Sequence, residues 1–108
     1  MKKIAVLFVC LGNICRSPAA EAIFINLLEK KGLTDGFIVD SAGTGNWHIG
    51  KKADSRMRIA AERRSINILS KARQITNEDF EKFNYILAMD DSNFRNIQDL
   101  KNRTSSLE

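Results

Sequence analysis

Residues 4–18, with the sequence IAVLFVCLGNICRSP, decide how this chain folds. The first six are continuously apolar and rich in Val, Ile and Phe, which is typical of a strand buried on both faces of a parallel sheet. Ser17 and Pro18 then provide a helix start, because a serine hydroxyl can cap free N–H groups and proline is tolerated in the first helical turn. The pattern predicts a strand, a six-residue turn and a helix.

The turn after this strand carries the groups needed to hold and attack a phosphate. Gly12 allows close backbone approach and Asn13 tolerates the left-handed region, so several N–H groups can face inward beside the helix N-terminus. Such an electropositive nest favours the thiolate form of Cys10. Arg16 offers a planar fork that matches two phosphoryl oxygens, and Ser17 can hydrogen-bond the sulfur. A structural cysteine followed by an ordinary turn is the alternative, but it leaves an arginine at the end of a core strand unexplained.

Strand and helix patterns alternate along the rest of the chain. The predicted elements are a helix from Ser17 to residues 29–32, a strand at 37–39, a Gly- and Ser-rich loop at 40–53, a helix from 54 or 55 to about 67, a helix starting at 76–79, a strand at 85–89 and a helix from 90 to about 100. This order predicts one α/β domain over residues 1–108. Its open parallel sheet would carry helices on both faces and bind ligands at the carboxyl ends of the strands.

Composition narrows the classes of function. The 108 residues suffice for a single core. A net charge of +4 helps to attract anionic substrates, but no basic stripe interleaved with aromatic residues points to nucleic acid. Two cysteines five residues apart and one histidine predict no metal site. The apolar run after Lys2 and Lys3 is too short for a signal peptide or a membrane span, which favours a reducing cytoplasm as the compartment.

Several segments carry a family resemblance that extends to about residue 100. They are VCLGNICRSPAAEA at 9–22, DSAGT at 40–44, Trp47 and Gly50 with Asp54 and Arg56, ARQIT at 72–76, EDF at 78–80, and YILAMD at 85–90 with Ser92 and Asn93. Through them the chain resembles the low-molecular-weight protein tyrosine phosphatase family. The resemblance implies a three-layer, flavodoxin-like open parallel sheet, here lacking the last strand and the last helix of the family fold.

The resemblance also implies a phosphotyrosine protein phosphatase that works through a phosphocysteine intermediate, with no cofactor and no metal. The implied catalytic residues are Cys10, Asn13, Arg16 and Ser17. The implied phosphate-binding residues are Leu11, Gly12, Asn13, Ile14, Cys15 and Arg16. The expected partners are phosphotyrosine proteins, with a tyrosine kinase among the candidates, and the product is inorganic phosphate. Neither nucleic acid nor a membrane is an expected partner.

A few other residues need interpretation. Cys15 is either a packing residue or, as the resemblance favours, a redox partner that forms a reversible disulfide with Cys10. Trp47 either folds onto the core or, as in the family, forms a wall for the phosphotyrosine ring. Ser70 lies near a position where the family often has a histidine, so its hydroxyl either supports the phosphate-loop asparagine or the bond is absent. His48 is predicted to be a solvated loop residue.

In the family, the general acid is an aspartate followed by proline. This sequence has one proline, Pro18, and no Asp–Pro pair. Because a general acid contributes roughly 10²–10⁴ in rate, we expect impaired catalysis. Without a further strand, residues 85–89 are expected to form an uncovered apolar edge that favours self-association. Two other functions stay open: an arsenate reductase of the same fold, which needs cysteines beyond Cys15, and a catalytically weak phosphate- or phosphotyrosine-binding module.

Overall fold

The computed structural model describes residues 2–106. In chain order its elements are β1 (Ile4–Cys10), α1 (Arg16–Lys31), a 3-10 turn (Thr34–Gly36), β2 (Phe37–Gly43), α2 (Ser55–Glu62), α3 (Asn77–Lys82), β3 (Tyr85–Ala88) and α4 (Asp91–Ser106). Every strand and helix expected from the sequence is present, so the predicted order of elements is confirmed.

The three strands form one parallel sheet in the order β2-β1-β3. β1 is therefore central, and its pairing with β2 runs from Ile4 opposite Phe37 to Cys10 opposite Gly43. Parallel strands end at a common rim, and ligands of open α/β sheets bind outside that carboxyl rim. Since Cys10 is the last residue of the central strand, it lies where this fold class places its ligands.

Helices cover both faces of the sheet, which confirms the predicted three-layer α/β architecture. On one face, Leu7 and Val9 of β1 are fully buried beneath α3 and α4. The apolar residues that complete this core are Ala5, Ala42, Ile75, Phe80, Phe83, Ile86, Ala88, Ile97 and Leu100. On the opposite face, Phe24 of α1 meets Phe8 and Phe37 edge to face, with ring centroids 5.8 and 5.7 Å apart.

Three boundaries differ from the predicted ones. β2 continues past residue 39 to Gly43, because its polar end still pairs with β1 at the carboxyl rim. α2 stops at Glu62 rather than near residue 67, since Ser65 has a left-handed backbone (φ 61°) that a right-handed helix cannot continue. α4 extends to Ser106 instead of ending near residue 100, because no glycine or proline interrupts it.

The helix starts at α2 and α3 follow their predicted signatures, whereas the start of α1 does not. The Asp54 side chain caps α2, and residues 76–79 form a capping box at α3. The prediction that Ser17 caps α1 is wrong: the helix begins at Arg16, behind Cys15, with no side-chain cap. The Ser17 hydroxyl is instead fully buried and directed toward the end of β1.

β3 is an edge strand within residues 2–106, since it pairs with β1 on one side only. Tyr85 and Leu87 on this strand are 58% and 42% exposed. The uncovered apolar edge expected from the sequence is thus present in the described part of the chain. In that same range, no helix is both long and apolar enough to cross a membrane.

Candidate active site

The predicted phosphate-binding turn, residues 11–15 and called the phosphate loop below, joins β1 to α1. The carbonyl groups of Cys10 and of this loop face the neighbouring segment 44–54. Three hydrogen bonds hold them: Thr44 N to Cys10 O (2.9 Å), Gly45 N to Leu11 O (2.9 Å) and Asp54 N to Ile14 O (2.6 Å). A trans peptide unit directs its C=O and N–H to opposite sides. The N–H groups of the following residues, Leu11, Gly12 and Cys15, therefore point away from segment 44–54, toward the inside of the turn, and can form the predicted anion-binding nest.

The sulfur of Cys10 lies at the base of this nest. The residue is 3% exposed, and Asn13 N donates a hydrogen bond to Sγ at 3.2 Å. Ser17 Oγ lies 2.9 Å from the same sulfur. Both contacts bring a group that can donate a hydrogen bond within reach of the sulfur. Ser17 thus lies within hydrogen-bond distance of the Cys10 sulfur, and its role in catalysis stays a prediction.

Asn13 is the buried centre of the hydrogen bonds around the loop. Its backbone is left-handed (φ 56°), and only 2% of the residue is exposed. Its amide nitrogen donates to Ser17 Oγ (2.8 Å) and Ser41 Oγ (3.0 Å), and its amide oxygen accepts from Arg73 N (2.9 Å). These three bonds offset the cost of a left-handed residue, which is about 1–2 kcal/mol.

Gly43 lets the end of β2 approach the loop backbone. A Cβ atom built on it would lie 2.7 Å from Leu11 O and 3.1 Å from Asn13 N, closer than side-chain carbons normally come. Gly12 likewise faces His48, whose Cδ2 would be 2.9 Å from an added Cβ. His48 is therefore half-buried against the loop, and the prediction that it is a solvated residue is wrong. The tertiary contact with Gly12 was not visible in the sequence.

Arg16 lies at the rim of the loop, where Asp90 holds it. Its Nη2 is 2.8 Å from Asp90 Oδ2, and both side chains are about half exposed. The Asn93 backbone N–H also donates to Asp90 at 2.8 Å. That bond, followed by the one from Arg16, holds the pKa of Asp90 below its usual range. Asp90 stays ionised and orients the guanidinium while leaving most of its five donors available for an anion.

Arg73 joins the loop to β2 and α3. Its guanidinium is bidentate to Asp79, with both N···O distances 3.0 Å, and contacts Asp40 at 3.1 Å. Burial alone would raise the pKa of Asp79, but hydrogen bonds from Arg73 and from the Thr76 backbone outweigh it and hold that pKa below its ordinary value. The ion-pair cluster anchors the backbone N–H that Arg73 donates to Asn13.

Ser70 supports the loop indirectly. It hydrogen-bonds to Glu21, which also accepts from Ser41 Oγ at 2.5 Å. Ser41 in turn accepts from the phosphate-loop asparagine. Sequence reasoning did not give roles to Glu21, Ser41, Gly43 or Arg73. The available signal was polar residues at 40 and 41 directly after a strand, at the rim where ligands bind.

Trp47 lies beside the loop but projects into solvent. It is 65% exposed, and its ring occupies the space against Gly45 where a Cβ atom would be. Trp47 and Leu11 line one cavity of about 520 Å³ that extends to α4. This placement is compatible with the predicted wall for a substrate ring, which stays a prediction. Cys15 is exposed and Cys10 is buried, and both thiols are free.

No metal site accompanies these groups within residues 2–106. No cluster of three or more His, Cys, Asp or Glu side chains in that range is placed to hold an ion. What the arrangement offers is a buried sulfur with two hydrogen-bond partners, an anion-binding turn and a guanidinium at its rim. These are the parts needed for nucleophilic attack on a phosphoryl group.

Comparison with known proteins gives a consistent answer. The model of the low molecular weight phosphotyrosine protein phosphatase family matches residues 5–107. The phosphatase of that description from Schizosaccharomyces pombe is 52% identical over 101 residues, covering 93% of this chain and 65% of that protein. Among solved structures, YfkJ from Bacillus subtilis has a TM-score of 0.92 at 44% identity, covering 95% of this chain and 65% of its own.

A Drosophila arginine phosphatase is also similar, with a TM-score of 0.83 at 40% identity over 99% of this chain and 64% of that structure. The chain thus spans slightly less than two thirds of the length of these relatives. The family match, in contrast, takes in nearly all of the chain itself. This chain belongs to the low molecular weight phosphotyrosine protein phosphatase family.

Proposed function

We propose that this chain hydrolyses phosphotyrosine in proteins with Cys10 as the nucleophile. The observation that carries the proposal is the buried Cys10 sulfur, which receives Asn13 N and lies 2.9 Å from Ser17 Oγ at the base of an anion-binding turn. A structural cysteine gains nothing from this surrounding, whereas a thiolate nucleophile is stabilised by it. Trp47 lines one cavity with Leu11, which supports the proposal that the tyrosine ring packs against it.

The reaction proceeds in two displacements at phosphorus. The Cys10 thiolate attacks in line, so the S–P bond forms as the bond to the tyrosine oxygen breaks, and the leaving phenolate takes up a proton. Loop N–H groups and Arg16 bind the equatorial oxygens. Water then attacks the phosphocysteine and releases inorganic phosphate. Ser17 hydrogen-bonds the sulfur as it departs and becomes a thiolate again.

Protonation of the leaving tyrosine oxygen is the step of the reaction that we expect to be slow. The sequence contains no Asp–Pro pair of the kind that supplies the family's acid. We therefore propose reduced activity that depends strongly on the leaving group, since a general acid contributes roughly 10²–10⁴ in rate. p-Nitrophenyl phosphate should be hydrolysed, because its leaving group needs little protonation. Hydrolysis of an alkyl phosphate should be slower by about the factor that a general acid contributes, roughly 10²–10⁴. Equal, rapid turnover of both esters would contradict the argument.

The decisive experiment traps the intermediate. Rapid acid quench during turnover of p-nitrophenyl phosphate should leave a phosphoryl group on Cys10, located by peptide mass spectrometry. Cys10→Ser should lose turnover, while Glu29→Met, near the far end of α1, is the control that retains it. Binding of phosphotyrosine peptide without any phosphocysteine would support the binding module instead. Thioredoxin-coupled reduction of arsenate would support the reductase.

Substrate class needs a separate comparison, because a structural relative is described as an arginine phosphatase. The proposal expects a phosphotyrosine peptide, for example from an autophosphorylated tyrosine kinase, to be preferred over a phosphoarginine peptide of the same sequence. A higher kcat/KM for the phosphoarginine peptide would contradict phosphotyrosine as the preferred substrate, but it would leave Cys10 as the proposed nucleophile. Trp47→Ala should lower kcat/KM for the phosphotyrosine peptide more than for the phosphoarginine peptide, since only the first offers an aromatic ring.

A further inference from the structure

We propose that Glu21 is a positioning residue of this active site. Acting through Ser41 and Asn13, it fixes the Ser17 hydroxyl as the donor to the Cys10 sulfur. The inference rests on the proposed function in one respect only, namely that a stabilised Cys10 thiolate serves catalysis. The geometric claim concerns the ionisation of Cys10 and can be tested without turnover.

A continuous chain of hydrogen bonds links Glu21 on α1 to Cys10 at the end of β1. Ser41 Oγ donates to Glu21 Oε1 at 2.5 Å, and Asn13 Nδ2 donates to Ser41 Oγ at 3.0 Å. The same Nδ2 donates to Ser17 Oγ at 2.8 Å, and Ser17 Oγ lies 2.9 Å from Cys10 Sγ. Ser17, Ser41 and Asn13 are 0–2% exposed, so water does not compete with the bonds among these three residues.

The donor and acceptor of each hydrogen bond in this series are fixed by two groups, Arg73 N, which can only donate, and the Glu21 carboxylate, which accepts. Arg73 N is a donor only, so Asn13 Oδ1 must accept from it and Asn13 Nδ2 must supply both of its hydrogens elsewhere. These hydrogens go to the two serine oxygens. The hydrogen of Ser41 then needs an acceptor, which the Glu21 carboxylate provides.

The hydroxyl hydrogen of Ser17 is then the one that still needs an acceptor. Its two acceptors are Cys10 Sγ at 2.9 Å and Ala42 O at 3.5 Å, and the sulfur is the nearer. Ser17 therefore acts as a donor to the thiolate because Asn13 already occupies its oxygen. Without Glu21, the Ser41 hydrogen loses its acceptor, and the Ser41 hydroxyl can rotate toward Asn13. The Asn13 Nδ2 hydrogen that was bonded to Ser41 then loses its partner. Asn13 is held less firmly, and it aligns Ser17 less well.

Glu21 is poised to respond to its surroundings. Burial raises the pKa of its carboxyl group and nearby Asp40 raises it further, whereas bonds from Ser41 and Ser70 and the charge of Arg73 lower it. The carboxyl also faces a cavity of about 500 Å³ between α1 and residues 65–70, where Glu29 is the other charged lining residue. Protons can therefore reach it, and protonation would turn the acceptor of the chain into a donor.

The test measures alkylation of Cys10 by iodoacetamide as a function of pH, with peptide mass spectrometry separating Cys10 from Cys15. Ser41→Ala and Glu21→Met should each raise the pH of half-maximal alkylation by about one unit, corresponding to a weakened hydrogen bond to a charged group. The double variant should shift no further than either single variant, because both break one chain.

Glu21→Gln and Glu29→Met are the matched controls. Gln keeps a carbonyl acceptor for Ser41 without the charge, and Glu29 lies on the same helix and the same cavity, so neither should raise the midpoint. If Glu21 acted only as a nearby negative charge, both Met and Gln at position 21 would lower the midpoint, which would overturn the proposal. So would additive shifts in the double variant, or no shift in Glu21→Met.

Two further measurements keep the outcomes distinct. Urea unfolding reports whether each variant is folded, and Glu21→Leu is prepared in parallel in case Glu21→Met does not fold. One outcome is that the variants show the expected shifts in the pH of half-maximal Cys10 alkylation while the wild type has no phosphatase turnover. That result would overturn the proposed function and leave the positioning role of Glu21 standing. The opposite result, turnover without any effect of Glu21 variants on the midpoint, would remove the positioning role alone.

Discussion

At the scale of single residues, the phosphate loop depends on two backbone positions. Asn13 adopts a left-handed conformation that its three side-chain hydrogen bonds hold in place. Gly43 brings β2 so close that the loop carbonyl of Leu11 would lie 2.7 Å from any Cβ atom. The loop around Cys10 is thus shaped by the side-chain bonds of Asn13 and by the close backbone approach at Gly43.

Gly43→Ala should therefore damage both stability and the site. The added methyl group would meet backbone atoms that cannot rotate away, and overpacking of this kind costs about 1–3 kcal/mol. Urea unfolding should show that loss, together with slower turnover of p-nitrophenyl phosphate. Gly36→Ala is the matched control, because no atom lies within 4 Å of its Cβ position. Equal effects of the two substitutions would contradict the close-approach argument.

At the scale of secondary-structure elements, Arg73 connects α3, β2 and the phosphate loop. Asp79 belongs to the capping box of α3 and also receives both arms of the Arg73 guanidinium. The same arginine reaches Asp40 at the end of β2. A short helix of six residues is marginal on its own, so its position depends on these contacts.

Stability should consequently depend on pH through Asp79. Its pKa is lowered in the folded state, so its contribution is present above the ordinary value of 3.8 and is lost as the pH falls through the folded-state value. Arg73→Met should cost about 1–3 kcal/mol at pH 7, a modest figure because a third of the arginine side chain is exposed.

The difference between Arg73→Met and the wild type should shrink as the pH falls below 3.8. Urea unfolding at several pH values measures it. Arg63→Met, on an exposed residue after α2, serves as the control and should show no such trend. A constant difference between Arg73→Met and wild type at every pH would exclude Asp79 as the source.

At the scale of the whole molecule, the carboxyl rim of the sheet and its open side, as residues 2–106 form them, lie in different places. The carboxyl rim carries Cys10, whereas β3 presents a partly apolar edge along the side of the sheet. Edge strands offer unpaired backbone groups to other chains. We therefore expect association of this chain to leave the phosphate loop accessible.

Leu87→Lys should suppress concentration-dependent association, because a lysine on an edge strand opposes pairing with a second strand. Analytical ultracentrifugation over a range of concentrations measures the effect. Leu69→Lys adds the same charge at a residue that is 87% exposed and lies outside the sheet, and it should not change association. If both lysine variants behave alike, net charge rather than the β3 edge controls the solution state.

The sequence predicted the parts of the site that are contiguous in the chain. Cys10, Asn13, Arg16 and Ser17 lie within one turn, so a local pattern is enough to place them together. Glu21 and its partner residues at 41 and 73 act through contacts made only after α1 and β2 have packed on β1. The β2 strand was predicted too short for a related reason: Asp40 and Ser41 are polar, and their partners Arg73 and Glu21 come from distant segments.

The saturated bonding of Asn13 has a consequence for selectivity. Since its amide group is already fully engaged by protein atoms, the loop keeps its shape through internal contacts and acts as a rigid template for tetrahedral oxyanions. Substrate ester and product phosphate present the same group to that template, so the loop distinguishes poorly between them. Discrimination among phosphorylated molecules must then arise outside the loop, at exposed residues beside it such as Trp47, which can be replaced without disturbing the contacts of Cys10.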